Sequence, residues 1–169
     1  MDTYKKSGYG KSVYSKSILL VVVIFSILLL FGCTSSGGGT FLKKDGAKVC
    51  TIDGKPVIRL FSTTWCPHCQ WIAPIYDSVV NDYVSQGKIV AYHWQMDTLD
   101  NTLTDANEGS IPEGEAAIFQ EFSPKGSIPV FVFGCEYYRL GNGYEATKDA
   151  NAETTEMRKI IDELITESK

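Results

Sequence analysis

The sequence predicts an α/β domain, a mixed sheet of about four strands flanked by helices, behind an N-terminal signal or anchor segment. Three observations predict it. Short β-prone runs alternate with helical patterns in the order β-α-β-α-β-β-α from about residue 50 onward, with no internal repeat. The chain is 169 residues long, 44% hydrophobic and 21% charged, which suits one globular domain with an appendage and excludes a disordered or fibrous chain. One apolar run alone exceeds a dozen residues, so a multi-span transporter is excluded. The formal charge of −4 also excludes the clustered basic surface that nucleic-acid binding requires.

The N-terminus sets the address. Lys5, Lys6, Lys11 and Lys16 precede the run Ser17 to Phe31, which is followed by Gly32, Cys33 and a soft Ser/Gly stretch. A basic head, a short apolar middle and small polar residues form the pattern of an export signal. The run is short for a transmembrane helix, which needs about 20 apolar residues. Leu30-Phe31-Gly32-Cys33 resembles the lipobox of prokaryotic lipoproteins, with Phe31 standing where a smaller residue is usual, and makes Cys33 the candidate for lipidation. An uncleaved anchor and plain secretion are the alternatives. All three put the folded part outside the cytoplasm, on the outer face of a prokaryotic membrane. The expected organisation is a signal or anchor over 1–33, a flexible tether over 34–47 and a folded domain over 48–169. Loss of residues 1–33 removes four bases and one acid, leaving 12 bases against 19 acids, a formal charge of −7. That is a soluble, acidic body without a basic face for anionic lipid.

The elements follow in order. Asp53-Gly54 is a turn between two β-prone pieces. Val57 to Phe61 reads as a strand covered on both faces. Pro67 suits the first position of a helix, and Ile72, Ile75, Tyr76, Val79, Val80 and Tyr83 carry it at helical spacing to about Ser85. Pro74 falls inside and is expected to kink it. Lys88 to Met96 is a second strand, Asp97 to Gly114 a polar loop, and Ala116 to Phe122 a short helix stopped at Ser123-Pro124. Val130 to Phe133 and Tyr137 to Leu140 form a hairpin about Gly134-Cys135. Met157, Ile160, Ile161, Leu164 and Ile165 mark an amphipathic final helix.

With Cys33 set aside, four cysteines remain: Cys50, Cys66, Cys69 and Cys135. An even count outside the cytoplasm points to disulfide-capable pairs. Cys66 and Cys69 form a C-x-x-C, either a redox couple or half of a zinc site. Structural zinc needs a second close pair, which is missing. His93 on the second strand is a metal ligand in one reading and a hydrogen-bonded strand histidine in the commoner one. The acids Asp97, Asp100, Asp105 and Glu108 lack the spacing of a calcium loop and read as solvated. No metal or other cofactor is expected.

The string Phe61-Ser-Thr-Thr-Trp65-Cys66-Pro67-His68-Cys69 closes a strand and opens a Pro-containing helix, and Ile128-Pro129 precedes a downstream hairpin. From about Val49 to the C-terminus the chain resembles the thioredoxin superfamily, by its motif and by the order of its elements. The resemblance implies the thioredoxin fold and thiol-disulfide exchange. Physical chemistry agrees. Cys66 at a helix start meets unpaired N–H groups and the positive end of the dipole, both of which favour thiolate, the attacking species. His68 in the same turn adds to that stabilisation when protonated. Cys69, one turn on, is placed to resolve a mixed disulfide. A plain stabilising disulfide at the helix start is the alternative.

The resemblance implies further roles. Pro129 matches the family's cis-proline, and with Ile128 and Trp65 it would bound the substrate site. Pro67-His68 matches the dipeptide of periplasmic disulfide oxidases of the DsbA type, whose nucleophile ionises near about 3.5 and whose potential is about −120 mV. The stretch between Gln95 and Pro129 is too short for the helical insertion of those oxidases. Leu60 occupies the strand position where thioredoxins carry a buried acid, so Cys69 lacks its usual proton relay. Arg59 should face the other side of the sheet. Within this fold Cys50 and Cys135 fall at the edge opposite the motif and are expected to be bonded, the alternative being two separate thiols.

The function expected is an extracytoplasmic, membrane-tethered thiol-disulfide oxidoreductase, leaning towards oxidase or isomerase. Its partners would be protein thiols or disulfides, an unidentified redox protein and the membrane through its N-terminus. The alternatives are a copper- or zinc-binding module using Cys66 and Cys69, and a non-catalytic scaffold of the same fold.

Overall fold

The computed structural model of the protein describes residues 40–169. The expected signal or anchor over 1–33, with Cys33, and tether residues 34–39 lie outside the described residues. Four main strands and three helices occupy the expected order, with three two-residue strands added. In chain order they are β1 Leu42–Lys43, β2 Thr51–Ile52, β3 Lys55–Ser62, α1 Pro67–Ser85, β4 Val90–Gln95 and β5 Asp100–Asn101. Then come α2 Glu113–Phe122, β6 Val130–Phe133, β7 Tyr137–Leu140, a 3-10 turn at Glu145–Thr147 and α3 Ala150–Glu167.

The sheet runs β1-β7-β6-β3-β4-β5, with β2 paired to β3. β3 is parallel to β4 and antiparallel to β6, so the sheet is mixed, as expected. Side chains alternate across it. Ile58, Leu60, Phe131 and Phe133 point to one face and pack under α1 and α3, against Ile72, Tyr76, Met157 and Ile161. Phe61, Trp94, Val130 and Val132 point to the other face and pack with Phe122 of α2. Both faces are covered, which is why β3 and β6 read as almost unbroken apolar runs.

Two boundaries differ from the sequence reading. Residues 40–47, expected as the end of the tether, are built into the fold. Leu42 and Lys43 pair with Tyr138 and Tyr137, and Phe41 packs on Phe131 and Phe133 with ring centroids 5.7 and 4.9 Å away. Phe41 and the short β1 pairing carry this docking from a segment otherwise rich in Ser, Gly and Lys, so composition alone gave no sign of it. The second helix begins at Glu113 rather than Ala116. Its first turn carries Glu113 and Glu115, whose charges favour a helix start even though the segment reads as a polar loop. α1 runs on through Pro74, whose missing N–H leaves the Gln70 carbonyl without its helical donor.

Gly134 and Cys135 both have positive φ in the β6–β7 turn, at 60° and 56°. A side chain on Gly134 would come within 2.6 Å of Leu164, so that turn seats directly on α3. Cys135 is bonded to Cys50, with S–S 1.99 Å and Cα–Cα 5.4 Å.

Candidate active site

Cys66 is the N-cap of α1, with extended backbone (φ −79°, ψ 118°), and Pro67 opens the helix. A proline there loses nothing, because a first-turn N–H has no helical acceptor. The Cys69 N–H donates to the Cys66 sulfur at 3.4 Å. A first-turn N–H therefore points at that sulfur, as at a helix start that holds an anion. Both cysteines are free and buried, at 5% exposure for Cys66 and 1% for Cys69. Burial, and next the hydrogen bond with Cys66, push the Cys69 thiol up to about 12, against the N–H and hydroxyl of Thr63, which favour its thiolate. The two sulfurs are thus unequal by position.

The loop before the helix is held from β4's end. Asp97, read from sequence as solvated, accepts from the Thr64 N–H at 3.1 Å and from the Thr64 hydroxyl. Burial alone would raise the Asp97 carboxyl, but these bonds hold it below its ordinary value. Trp65, beside Cys66, is 68% exposed, so it is a rim residue.

His68 is gripped from the opposite end of the chain. Its Nδ1 lies 2.7 Å from Glu145 Oε2, and Asn142 Nδ2 donates to both the His68 carbonyl and that same carboxylate oxygen at 2.9 Å. Burial would raise the Glu145 carboxyl, and the bonds from Asn142 and His68 outweigh it and hold it low. The Ile128–Pro129 peptide is cis. Ile128, Pro129, His68, Asn142, Glu145 and Lys148 line an open groove of about 470 Å³ beside the motif.

The fold therefore brings Trp65, Cys66, Pro67, His68, Cys69, Ile128 and Pro129 to one end of the sheet. Cys50 and Cys135 lie at the other end, where β2's approach meets the β6–β7 turn. Sequence reasoning missed Glu145 and Asn142, which carry no motif and reach His68 only because β7 ends beside Pro129. It also missed the buried pair behind the sheet. Arg59 Nε and Nη2 donate to Glu115 Oε2 and Oε1 at 2.7 and 2.8 Å, on the face opposite Leu60. His93 is buried with both ring nitrogens engaged, Nδ1 2.7 Å from Asp77 and Nε2 2.8 Å from Ser62. It therefore has no nitrogen to offer a metal shared with Cys66 and Cys69.

Residues 45–115 match the family model described as Thioredoxin. The protein named Thioredoxin H-type from Chlamydomonas reinhardtii is 36% identical over 58 residues, which is 34% of this chain and 50% of that protein. The chain thus spans about half the length of the curated relative it matches. No solved structure matches it significantly. The described residues have the thioredoxin fold, and within it residues 45–115 are similar in sequence to thioredoxins.

Proposed function

We propose that this protein is an extracytoplasmic thiol-disulfide oxidoreductase acting on protein cysteines through the Cys66–Cys69 couple. The observation that carries the reading is the Cys66 sulfur as N-cap of α1, with Cys69 one turn behind it and the cis Ile128–Pro129 bond at the same end of the sheet. Cys66 attacks a client disulfide, or its own disulfide is attacked by a client thiol, and Cys69 closes the cycle. Trp65, Ile128 and Pro129 hold the client segment along the groove.

The direction proposed is oxidation or isomerisation. Its support is the Pro67-His68 dipeptide at the helix start that receives the Cys66 sulfur, since a thiolate stabilised there is a good leaving group. The extracytoplasmic address is supported by the export-like N-terminus and by the Cys50–Cys135 bond, a linkage that persists in oxidising compartments. The domain is held to the membrane by residues 1–33, through lipid on Cys33 or an uncleaved anchor.

Equilibration of the couple against glutathione tests the direction. The expected potential is more positive than about −200 mV, and a value near thioredoxin's, about −270 mV, would make the protein a reductase. Cys66→Ser is expected to abolish exchange. External protease that spares the folded domain in intact bacterial spheroplasts would refute the address.

A further inference from the structure

Resolution requires Cys69 to lose a proton, and the site leaves that step without an evident acceptor. The Cys69 thiol is buried and pushed up to about 12, while Leu60 puts hydrocarbon on the sheet face that α1 covers. A base must come from elsewhere on that face of the sheet.

His93 is that base by placement. It pairs in register with Leu60, so the two side chains share the face that α1 covers. It is 1% exposed and fully hydrogen-bonded. A carboxylate only accepts, so Asp77 fixes the Nδ1–H form of the neutral ring and leaves the Nε2 lone pair facing the Ser62 hydroxyl. Asp77 is 30% exposed in its side chain and connects the buried ring to solvent. At the other end, Ser62 is the last residue of β3. The next residue is Thr63, whose buried hydroxyl has no hydrogen-bond partner at rest and is free to turn, and whose N–H and hydroxyl both favour the Cys69 thiolate. The groups thus form a line from solvent, through Asp77, His93 and Ser62, to the loop that faces the Cys69 sulfur.

We propose that His93, oriented by Asp77 and acting through Ser62, is a positioning residue that takes up and returns the Cys69 proton during exchange. The inference rests on the redox reading above. In the resolving step the unpartnered Thr63 hydroxyl turns to take the Cys69 proton and hands its own to Ser62, as Ser62 passes its proton to His93 Nε2. The Cys69 sulfur forms its bond to Cys66, the bond between Cys66 and the client sulfur breaks, and the client leaves as thiolate. The client disulfide has accepted two electrons and the cysteine pair has lost them. In the reverse direction Cys69 leaves from the attacked disulfide and His93 returns the proton.

The other groups facing His93 do not compete. From α1 it meets the edge of Tyr76, ring centroids 5.7 Å apart, and burial raises that phenol well above its ordinary value. From β5's side Asn101 Oδ1 accepts the His93 backbone N–H. The Arg59–Glu115 pair lies across the sheet.

The test mixes the reduced protein with an aromatic disulfide that releases a coloured thiolate, once on attack by Cys66 and again on resolution by Cys69. His93→Gln and Asp77→Asn are expected to slow the second release about tenfold or more at neutral pH, with recovery above about pH 9, where hydroxide replaces the base. The first release should stay within about twofold, because Cys66 is served by the helix start. An unchanged second phase, or one slowed equally at every pH, overturns the relay alone. Asp77→Asn, at a half-exposed site, keeps the test open if His93→Gln does not fold. A wild-type protein that shows no second release overturns the redox reading and the relay with it.

Discussion

The chemistry of Cys66 and Cys69 differs although they sit three residues apart. Cys66 ends the loop and its sulfur receives the Cys69 N–H, whereas Cys69 lies inside the helix and is buried. In the proposed exchange, position on one helical turn makes Cys66 the nucleophile and keeps Cys69 in reserve. Iodoacetamide at neutral pH is therefore expected to alkylate Cys66 and spare Cys69. In Cys66→Ser, modification of Cys69 should stay slow at neutral pH and rise as the pH climbs, since burial, the largest cause of its raised value, remains and keeps the thiol protonated. Mass spectrometry of the alkylated peptides reads both outcomes, and fast labelling of Cys69 at neutral pH would remove the need for a relay. The motif was legible at this scale because its parts are neighbours in the chain. Glu145 was not, because its partner His68 lies 77 residues away.

Among the elements, β3 organises the site, delivering Ser62 and the motif at its end while its two faces carry different tasks. The Leu60 face meets α1 and holds the His93 line. The opposite face buries Arg59 against Glu115 of α2, and Glu115 also accepts from the Trp94 indole at 3.1 Å. Breaking one member of a buried pair leaves an uncompensated charge. Glu115→Ala is therefore expected to lower unfolding stability by about 3–5 kcal/mol. Replacing both members with apolar residues, as in Arg59→Met with Glu115→Leu, should recover most of that loss. Urea unfolding of the single and double variants measures both. Element order and strand faces were readable from periodicity. The start of α2 was not, because acids that stabilise a helix start also populate loops.

At the scale of the whole molecule, two long-range devices join distant parts. One is the Arg139 guanidinium, buried with Glu153 at 2.7 Å and Glu156 at 3.3 Å. Glu153 also accepts from Gly143 and Tyr144, and Glu156 from the hydroxyl of Thr40, so the first described residues and the loop carrying Asn142 and Glu145 share one network. The other is the Cys50–Cys135 bond, which spans 85 residues. Closing a loop of that size restricts the unfolded chain, and removing the bond in Cys50→Ser/Cys135→Ser should reduce stability by about 2–4 kcal/mol. Denaturant unfolding without reductant gives the number. Exchange activity of the folded double variant should persist, because the bond lies at the opposite end of the sheet from Cys66.

By itself the sequence determined what depends on local order: the alternation of strands and helices, the helix that begins at Pro67, the pair of sulfurs one turn apart and the apolar faces of the sheet. These follow from repeat patterns and from residues within one turn of each other. Tertiary structure alone decided which distant groups meet the site. Asp77 and Ser62 reach His93, Glu145 and Asn142 reach His68, and Asp97 reaches Thr64, only through strand register and loop path. No spacing in the chain encodes those meetings, because a hydrogen bond depends on where two backbones are brought together and not on the number of residues between them.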